Sequence, residues 1–393
     1  MRRPAPTRTV LLLGVLLAVT GCGGTTDGST AQPSSAPASS APSSGPASSA
    51  PAASCAGRTL ADLSVDEQVG QLLMVGVPAA DPASGTAALS GVPVGGLFLQ
   101  GRSSADAASV AVSVAELQEG AAVPLQIAVD QEGGLVQTLK GPGFDRVPTA
   151  LEQGRSDPAA LRSATAGWAG QLQAAGITMD LGPVADTVPA GTEADNPPIG
   201  AFDRQFGSDP QAVAASVTAV VEGLQDAGVV ATAKHFPGLG RVRVNTDTDL
   251  GATDPETSPD DPFLAPFAAA VDAGVGAVMV SSATYPQLDP DSPALFSPAV
   301  LDLLRGQLGF TGVVMSDDVG DAEAVSQTPV AQRAVESVAA GVDVVLTVSP
   351  ADAAPMAEAL ADRAADDEAF AGRVSESAGR VLALKERFGL LTC

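Results

Sequence analysis

The rarest basic side chains of this chain fall together. The sequence holds one histidine, His235, and three lysines, Lys140, Lys234 and Lys385, against 45 acidic residues. Lys234 and His235 are adjacent in "KHFPGLGRVRVNTDTDL" (residues 234–250), where a Pro-Gly turn and a run of Asn and Asp follow them. Further polar clusters are Asp130-Gln131-Glu132-Gly133-Gly134, Pro183-Val184-Ala185-Asp186 and Ser316-Asp317-Asp318, with Arg204 in "FDRQFG". The sequence has no zinc-type Cys/His cluster, no phosphate-cradling P-loop and no G-x-S-x-G. A Ser-His-Asp triad would have to recruit His235 with no serine motif nearby. No metal or cofactor is therefore expected. What remains suits binding many hydroxyls, and it suits a two-carboxylate attack on a glycosidic bond.

Each cluster follows a short apolar run. Eight such runs punctuate the chain: Leu72–Val77, Gly96–Leu99, Leu125–Val129, Ile177–Leu181, Val229–Ala233, Gly276–Val280, Gly312–Met315 and Val342–Leu346. They are continuously apolar rather than alternating, as parallel strands covered on both faces are. Between them lie Ala-rich helical stretches at Ala107–Glu119, Ala159–Ala175, Ala212–Ala227, Pro262–Ala273, Pro298–Leu308 and Ala331–Ala340. Several close on "AAGI", "DAGV" or "AAGV", a helix C-cap feeding a strand. The pattern predicts an α/β fold, a single (β/α)8 barrel of TIM type, although a doubly wound sheet would alternate in the same way. In a barrel all four polar clusters would meet on the C-terminal rim. One Asp at a strand end can simply cap a helix, and Asp318 fits that role. Four converging clusters point to a site.

The termini add a cellular context. Arg2 and Arg3, the apolar run Val10–Val19 and then "VTGC" describe an export signal over residues 1–21. The same four residues resemble a bacterial lipobox, so Cys22 is expected to carry lipid and to anchor the protein on the outer face of the cell membrane. Residues 22–54 are rich in Ser, Ala and Pro and predict a disordered tether. Residues 55–393 form the catalytic domain, in the size range of one large barrel. The net charge of −25 excludes nucleic acid as a partner and favours a soluble body. The two remaining cysteines, Cys55 and Cys393, are expected to pair in an oxidising compartment. The chain-entropy model sets roughly 5 kcal/mol as the upper bound for so long a loop. A monomer is expected.

"AVDQEGGLVQTL", "DLGPVADT", "PPIGAFDRQFGSDP", "KHFPGLG" and "VVMSDDVG" together resemble glycoside hydrolase family 3, in its single-domain, NagZ-like β-N-acetylglucosaminidase branch. The resemblance runs from about Leu60 to Leu390. It implies a (β/α)8 barrel and exo-acting removal of N-acetylglucosamine from cell-wall glycans, with retention through a glycosyl-enzyme intermediate. It makes Asp317 the nucleophile and Asp130, Arg204, Lys234 and His235 the sugar ligands. The chain departs from the family pattern where the proton is handled. Family members continue "KHFPGHGDTxxDSH", with an Asp-His dyad on a flexible loop. Here Arg241 replaces the first Asp, Asn245 the dyad Asp and Asp247 the His, while Leu135 and Thr138 stand where arginines are usual. A carboxylic acid can replace imidazole when burial or a neighbouring carboxylate keeps it protonated. Asp247 is the candidate acid/base, with Asp249 in reserve. A related β-glucosidase, or an impaired sugar-binding lipoprotein, remains open on the sequence.

Overall fold

The eight apolar runs become eight strands: β1 (Leu73–Pro78), β2 (Gly96–Gln100), β3 (Gln126–Val129), β4 (Met179–Asp180), β5 (Val230–Phe236), β6 (Ala277–Val280), β7 (Val313–Asp318) and β8 (Val344–Thr347). Each pairs in parallel with its neighbours in the chain, and β1 pairs with β8, so the sheet closes. Closure decides between the two folds that the alternation allowed. This computed structural model describes residues 54–86 and 91–393. The signal segment, Cys22 and the linker up to residue 53 lie outside the described residues.

Alternation along the strands separates two cores. Leu73, Val75, Leu97, Leu99, Ile127 and Val129 point outward and pack under the helices. Met74, Phe98, Ala128, Met179, Met279, Met315 and Leu346 point inward. Four of the chain's six methionines therefore fill the barrel, where an unbranched, adaptable side chain suits an irregular tapering space.

The helices start and stop where local chemistry dictates. Asp106, Asp157 and Asp209 accept hydrogen bonds from the first turns of helices Ala107–Glu119, Pro158–Ala174 and Pro210–Asp226. Gly176, Gly228, Gly274 and Gly341, which follow helices, all take positive φ, as the C-cap signals require. Two expected helices are broken. A 3-10 turn, Pro262–Leu264, precedes helix Ala265–Asp272, and helix Pro298–Asp302 passes into a π-turn over Leu303–Gln307.

The last helix, Glu368–Arg387, closes the N-terminal end of the barrel. Its Val381 and Leu384 join the inner core, and Leu384 lies beside Gly276 at the foot of β6. The Glu386 carboxylate accepts the backbone N–H groups of Cys55 and Ala56, each at 2.9 Å, at the open start of helix Cys55–Asp62. Cys55 is disulfide-bonded to Cys393, with a Cα–Cα distance of 5.7 Å across 338 residues of sequence. Both ends of the described body thus meet beneath the barrel, opposite the rim that carries the polar clusters.

Lys385 on this helix is fully buried, and its Nζ donates to Gln71 Oε1 at 2.7 Å. Burial disfavours the ammonium and pushes its pKa down to about 7, from an ordinary 10.5. Below about pH 7 both folded and unfolded chains hold the proton, and stability sits at its floor. Between about 7 and 10.5 only the unfolded chain holds it, so stability rises with pH. Denaturant unfolding of the wild type should show this rise, on the order of a few kcal/mol. In Lys385→Met the rise should vanish. A variant that kept the same slope would place its cause elsewhere.

Candidate active site

Lys234, His235, Asp317 and Asp318 are the last residues of strands, not the first residues of loops as the sequence suggested. The register of β5 against β6 shifts between Ala233 and Phe236, and that of β7 against β8 shifts between Met315 and Asp318. Such irregularities re-aim side chains, so consecutive residues face the same space. The Lys234–His235 peptide is cis. All four residues line a cavity of about 300 Å³ in the C-terminal mouth of the barrel. Asp130, Arg204 and Asp247 line it too, above apolar side chains that include Phe98, Leu181, Met279 and Leu346. Every site residue expected from the sequence is thus in one place, except the reserve. Asp249 does not line this cavity; its carboxylate accepts the Thr248 hydroxyl at 2.7 Å on the exposed part of the loop.

The cations that line the cavity are fixed by a residue that sequence reasoning did not single out. Lys234 Nζ donates to Asp130 Oδ1 at 2.6 Å and lies 2.7 Å from Glu132 Oε1. Arg204 grips the same Glu132 with two hydrogen bonds, 2.9 Å from Nε and 2.7 Å from Nη2. Burial works to raise the Glu132 pKa, but Arg204 and Lys234 outweigh it and hold the carboxyl well below the usual range. Asp180, at the end of β4, accepts the Gln131 N–H at 2.9 Å, and burial pushes its pKa up to about 7. The motif "DQEGG" shows Glu132 two residues after Asp130, but its burial and its cationic partners come from segments far along the chain.

His235 is held by a second such residue. Asp186 is fully buried; its carboxylate accepts the backbone N–H groups of His235 at 3.2 Å and Leu239 at 2.7 Å. Its other oxygen lies 2.8 Å from His235 Nδ1. An ionised carboxylate only accepts, so the proton belongs on Nδ1, leaving Nε2 to meet a ligand. Asp318 has a structural role of the kind foreseen for it, though it caps a turn rather than a helix. Its oxygens accept the N–H groups of Gly320, Asp321 and Val348, each at 2.9 Å, tying the end of β7 to the end of β8.

Asp317 remains without a cationic partner in hydrogen-bonding contact; one of its oxygens accepts the Asp318 N–H at 2.9 Å. Burial is the main influence on its pKa and pushes it up to about 6; His235 and Lys234 pull it down, while the Asp247 carboxylate across the cavity pushes it up further. Asp247 sits in a turn in which Asn245 Oδ1 accepts its backbone N–H at 3.1 Å. At the other positions of departure, Leu135 is exposed and Thr138 is buried with its N–H bonded to the Asp130 carbonyl. Arg241 is turned to Asp261, outside the cavity, so Arg204 is the guanidinium that lines it among the described residues. The arrangement is a small polar pocket lined by a strand-borne carboxylate, Asp317, a loop-borne carboxylate, Asp247, and the paired groups Asp130, Arg204, Lys234 and His235.

Residues 64–384 match the model of the glycosyl hydrolase family 3 N terminal domain. A beta-hexosaminidase of Xanthomonas campestris pv. campestris (strain B100) is 38% identical over 296 residues, which is 72% of this chain and 86% of the relative. Among solved structures, a beta-N-acetylhexosaminidase from Beutenbergia cavernae DSM 12333 is 47% identical with a TM-score of 0.81, covering 83% of this chain and 99% of that one. A glycoside hydrolase family 3 beta-N-acetylglucosaminidase from Paenibacillus sp. str. FPU-7 is 34% identical with a TM-score of 0.74, covering 84% and 64%.

If Asp317 is the attacking carboxylate that the family resemblance implies, it must be ionised to act. With an activated aryl glycoside, whose departure needs no acid, kcat/KM should fall as pH drops through about 6. Asp247→Asn should move that acid limb to lower pH, because it removes one of the charges that raise it. A limb that stays in place would show that Asp247 does not face Asp317 in the working enzyme.

Proposed function

The chain belongs to glycosyl hydrolase family 3, and from that premise we propose that it is an exo-acting β-N-acetylglucosaminidase working with retention through Asp317. One observation carries the mechanism: Asp317 and Asp247 line one cavity together with the fixed set Asp130, Arg204, Lys234 and His235. These groups would hold the hydroxyls of the terminal sugar by charge-assisted hydrogen bonds. Asp317 attacks the anomeric carbon, and the glycosidic C–O bond breaks as Asp247 delivers its proton to the leaving oxygen. Asp247, now ionised, takes a proton from water, and the resulting attack releases the sugar and frees Asp317. The cavity's size suits one sugar ring rather than a long chain, in keeping with exo action. The substrates we propose are N-acetylglucosamine-containing fragments of the cell wall. The enzyme would meet them as an exported monomer held to the outer face of the membrane through lipid on Cys22.

His235 is not the proton carrier in this scheme. Its Nδ1 is occupied by Asp186, and it is anchored in β5. The loop carboxylate is the group free to move a proton.

A panel of p-nitrophenyl sugars tests the activity: the β-N-acetylglucosaminide should be turned over fastest. Faster turnover of the glucoside would make the enzyme a β-glucosidase, and binding without turnover would make it a sugar-binding protein. Asp317→Asn should lose nearly all turnover while keeping sugar affinity. Asp247→Ala should cost about 10²-fold or more on substrates with poor leaving groups and little on activated aryl glycosides. Azide should restore part of its turnover, since it attacks without a general base. Phosphate should accelerate the wild type little, because an ionised Asp247 repels it in the second step. Equal losses on both substrates, with no rescue by azide, would remove Asp247 from the acid/base role.

A further inference from the structure

The Asp247 carboxylate accepts no hydrogen bond among the described residues, so its position follows from the backbone of its loop. That loop is exposed from Asp247 to Gly251 and carries few side chains that could bury it. It is nevertheless pinned on both sides of Asp247. On the far side, the Ala324 N–H donates to the Thr246 carbonyl at 3.0 Å and the Glu323 N–H to the Asp247 carbonyl at 3.2 Å, so the loop rests on the segment following β7. On the near side, Asn196 Nδ2 donates to the carbonyls of Leu239 and Val242, both at 2.8 Å.

The strongest anchor on the near side is Arg241. Its guanidinium reaches both oxygens of Asp261, at 2.8 and 3.1 Å, and the Thr257 hydroxyl at 3.0 Å. It lies 3.8 Å from the centroid of the Phe263 ring. Thr257 in turn donates to the buried Asp254 at 2.7 Å, and Asp261 also caps the turn at Phe263. The Arg241 side chain is 12% exposed and that of Asp261 6%. A bidentate, stacked and largely buried arginine is a rigid fixture, unlike a lysine or a surface ion pair. It fastens the stretch before Asp247 to the segment Asp254–Phe263, which does not line the cavity.

We infer that Arg241 is a positioning residue for the proton-transfer step: it clamps the loop so that Asp247 stands at a fixed place over the cavity. This rests on the reading that Asp247 is the acid/base. The physical ground is that catalysis by a positioned group is steep in distance, with a displacement of about 1 Å able to cost about 10²-fold. The other anchors are single hydrogen bonds to backbone groups, and among the side chains that hold the loop Arg241 is the one that is bidentate, stacked and largely buried. In this chain the clamp replaces a hydrogen-bonded dyad as the device that orients the proton carrier.

The test uses the full-length protein in four forms: wild type, Arg241→Lys, Asp247→Ala and the double variant. Arg241→Lys keeps the charge opposite Asp261, so the fold should survive, with Tm within a few degrees, while the fork and the ring stack are lost. Its kcat/KM on an alkyl or disaccharide substrate should fall about 10-fold or more, with an activated aryl glycoside within about 2-fold of wild type. Added to Asp247→Ala, it should cause no further loss, because the group it positions is already gone. Equal losses on both substrates, multiplying losses in the double variant, or an Arg241→Lys enzyme indistinguishable from wild type would overturn the clamp. If Asp247→Ala itself shows no dependence on the leaving group, the acid/base reading fails first and the clamp falls with it. The Asp247→Ala arm therefore tells the two failures apart.

Discussion

The site depends on how a strongly acidic chain stabilises two buried cations. Lys234 and Arg204 meet at Glu132, and Lys234 also meets Asp130. These residues come from β5, from the loop after β4 and from the segment after β3. A buried ion network is costly unless every member is paired, and breaking one such pair typically costs about 3–5 kcal/mol. The network therefore allows one relative placement of these three segments around the mouth. The Asp186–His235 pair applies the same constraint one step further round, and its bond to Leu239 sets where the proton-bearing loop departs from the strand. Once these are in place, the nucleophile needs only to stand at the end of the strand next but one.

Much of this was legible in the sequence because buried parallel strands leave a plain trace. Residues such as Leu125–Val129 and Gly276–Val280 cannot be polar when helices cover one face and the barrel core the other. The polar residues at their ends stand out by contrast, and so the residues lining the cavity could be named. The exact strand ends could not be, since β5 and β7 continue through their polar residues by shifts of register that only the neighbouring strand reveals.

What could not be read are the pairings. Arg204 and Glu132 are 72 residues apart, Lys234 and Asp130 are 104 apart, and nothing local in either segment names its partner. Glu132 and Asp186 look in the sequence like any acidic residue at a strand end. Burial and the groups around them turn one into a counter-ion for two cations and the other into the support of the only histidine. Arg241 reads in the sequence as a loss, a basic residue where the family has an acid. In the fold it is a gain of structure, because its partners Thr257 and Asp261 lie further along the same excursion of the chain. The burial of Lys385 likewise has no local signal, since it comes from the helix crossing beneath the barrel.

These observations divide the work between two kinds of support. The groups proposed to hold the sugar stand on β5 or on segments just after β3 and β4, braced by the buried carboxylates Glu132 and Asp186. The proposed proton carrier, Asp247, sits at the edge of solvent, where protons can be exchanged. A carboxylate at that edge places one more negative charge opposite Asp317, which adds to burial, the main cause, in raising the Asp317 pKa. A nucleophile with a raised pKa is also a stronger base and a more reactive carboxylate once it is ionised, but it leaves its glycosyl ester less readily. In the proposed scheme that balance bears on the second step, the one in which Asp247 would draw a proton from water.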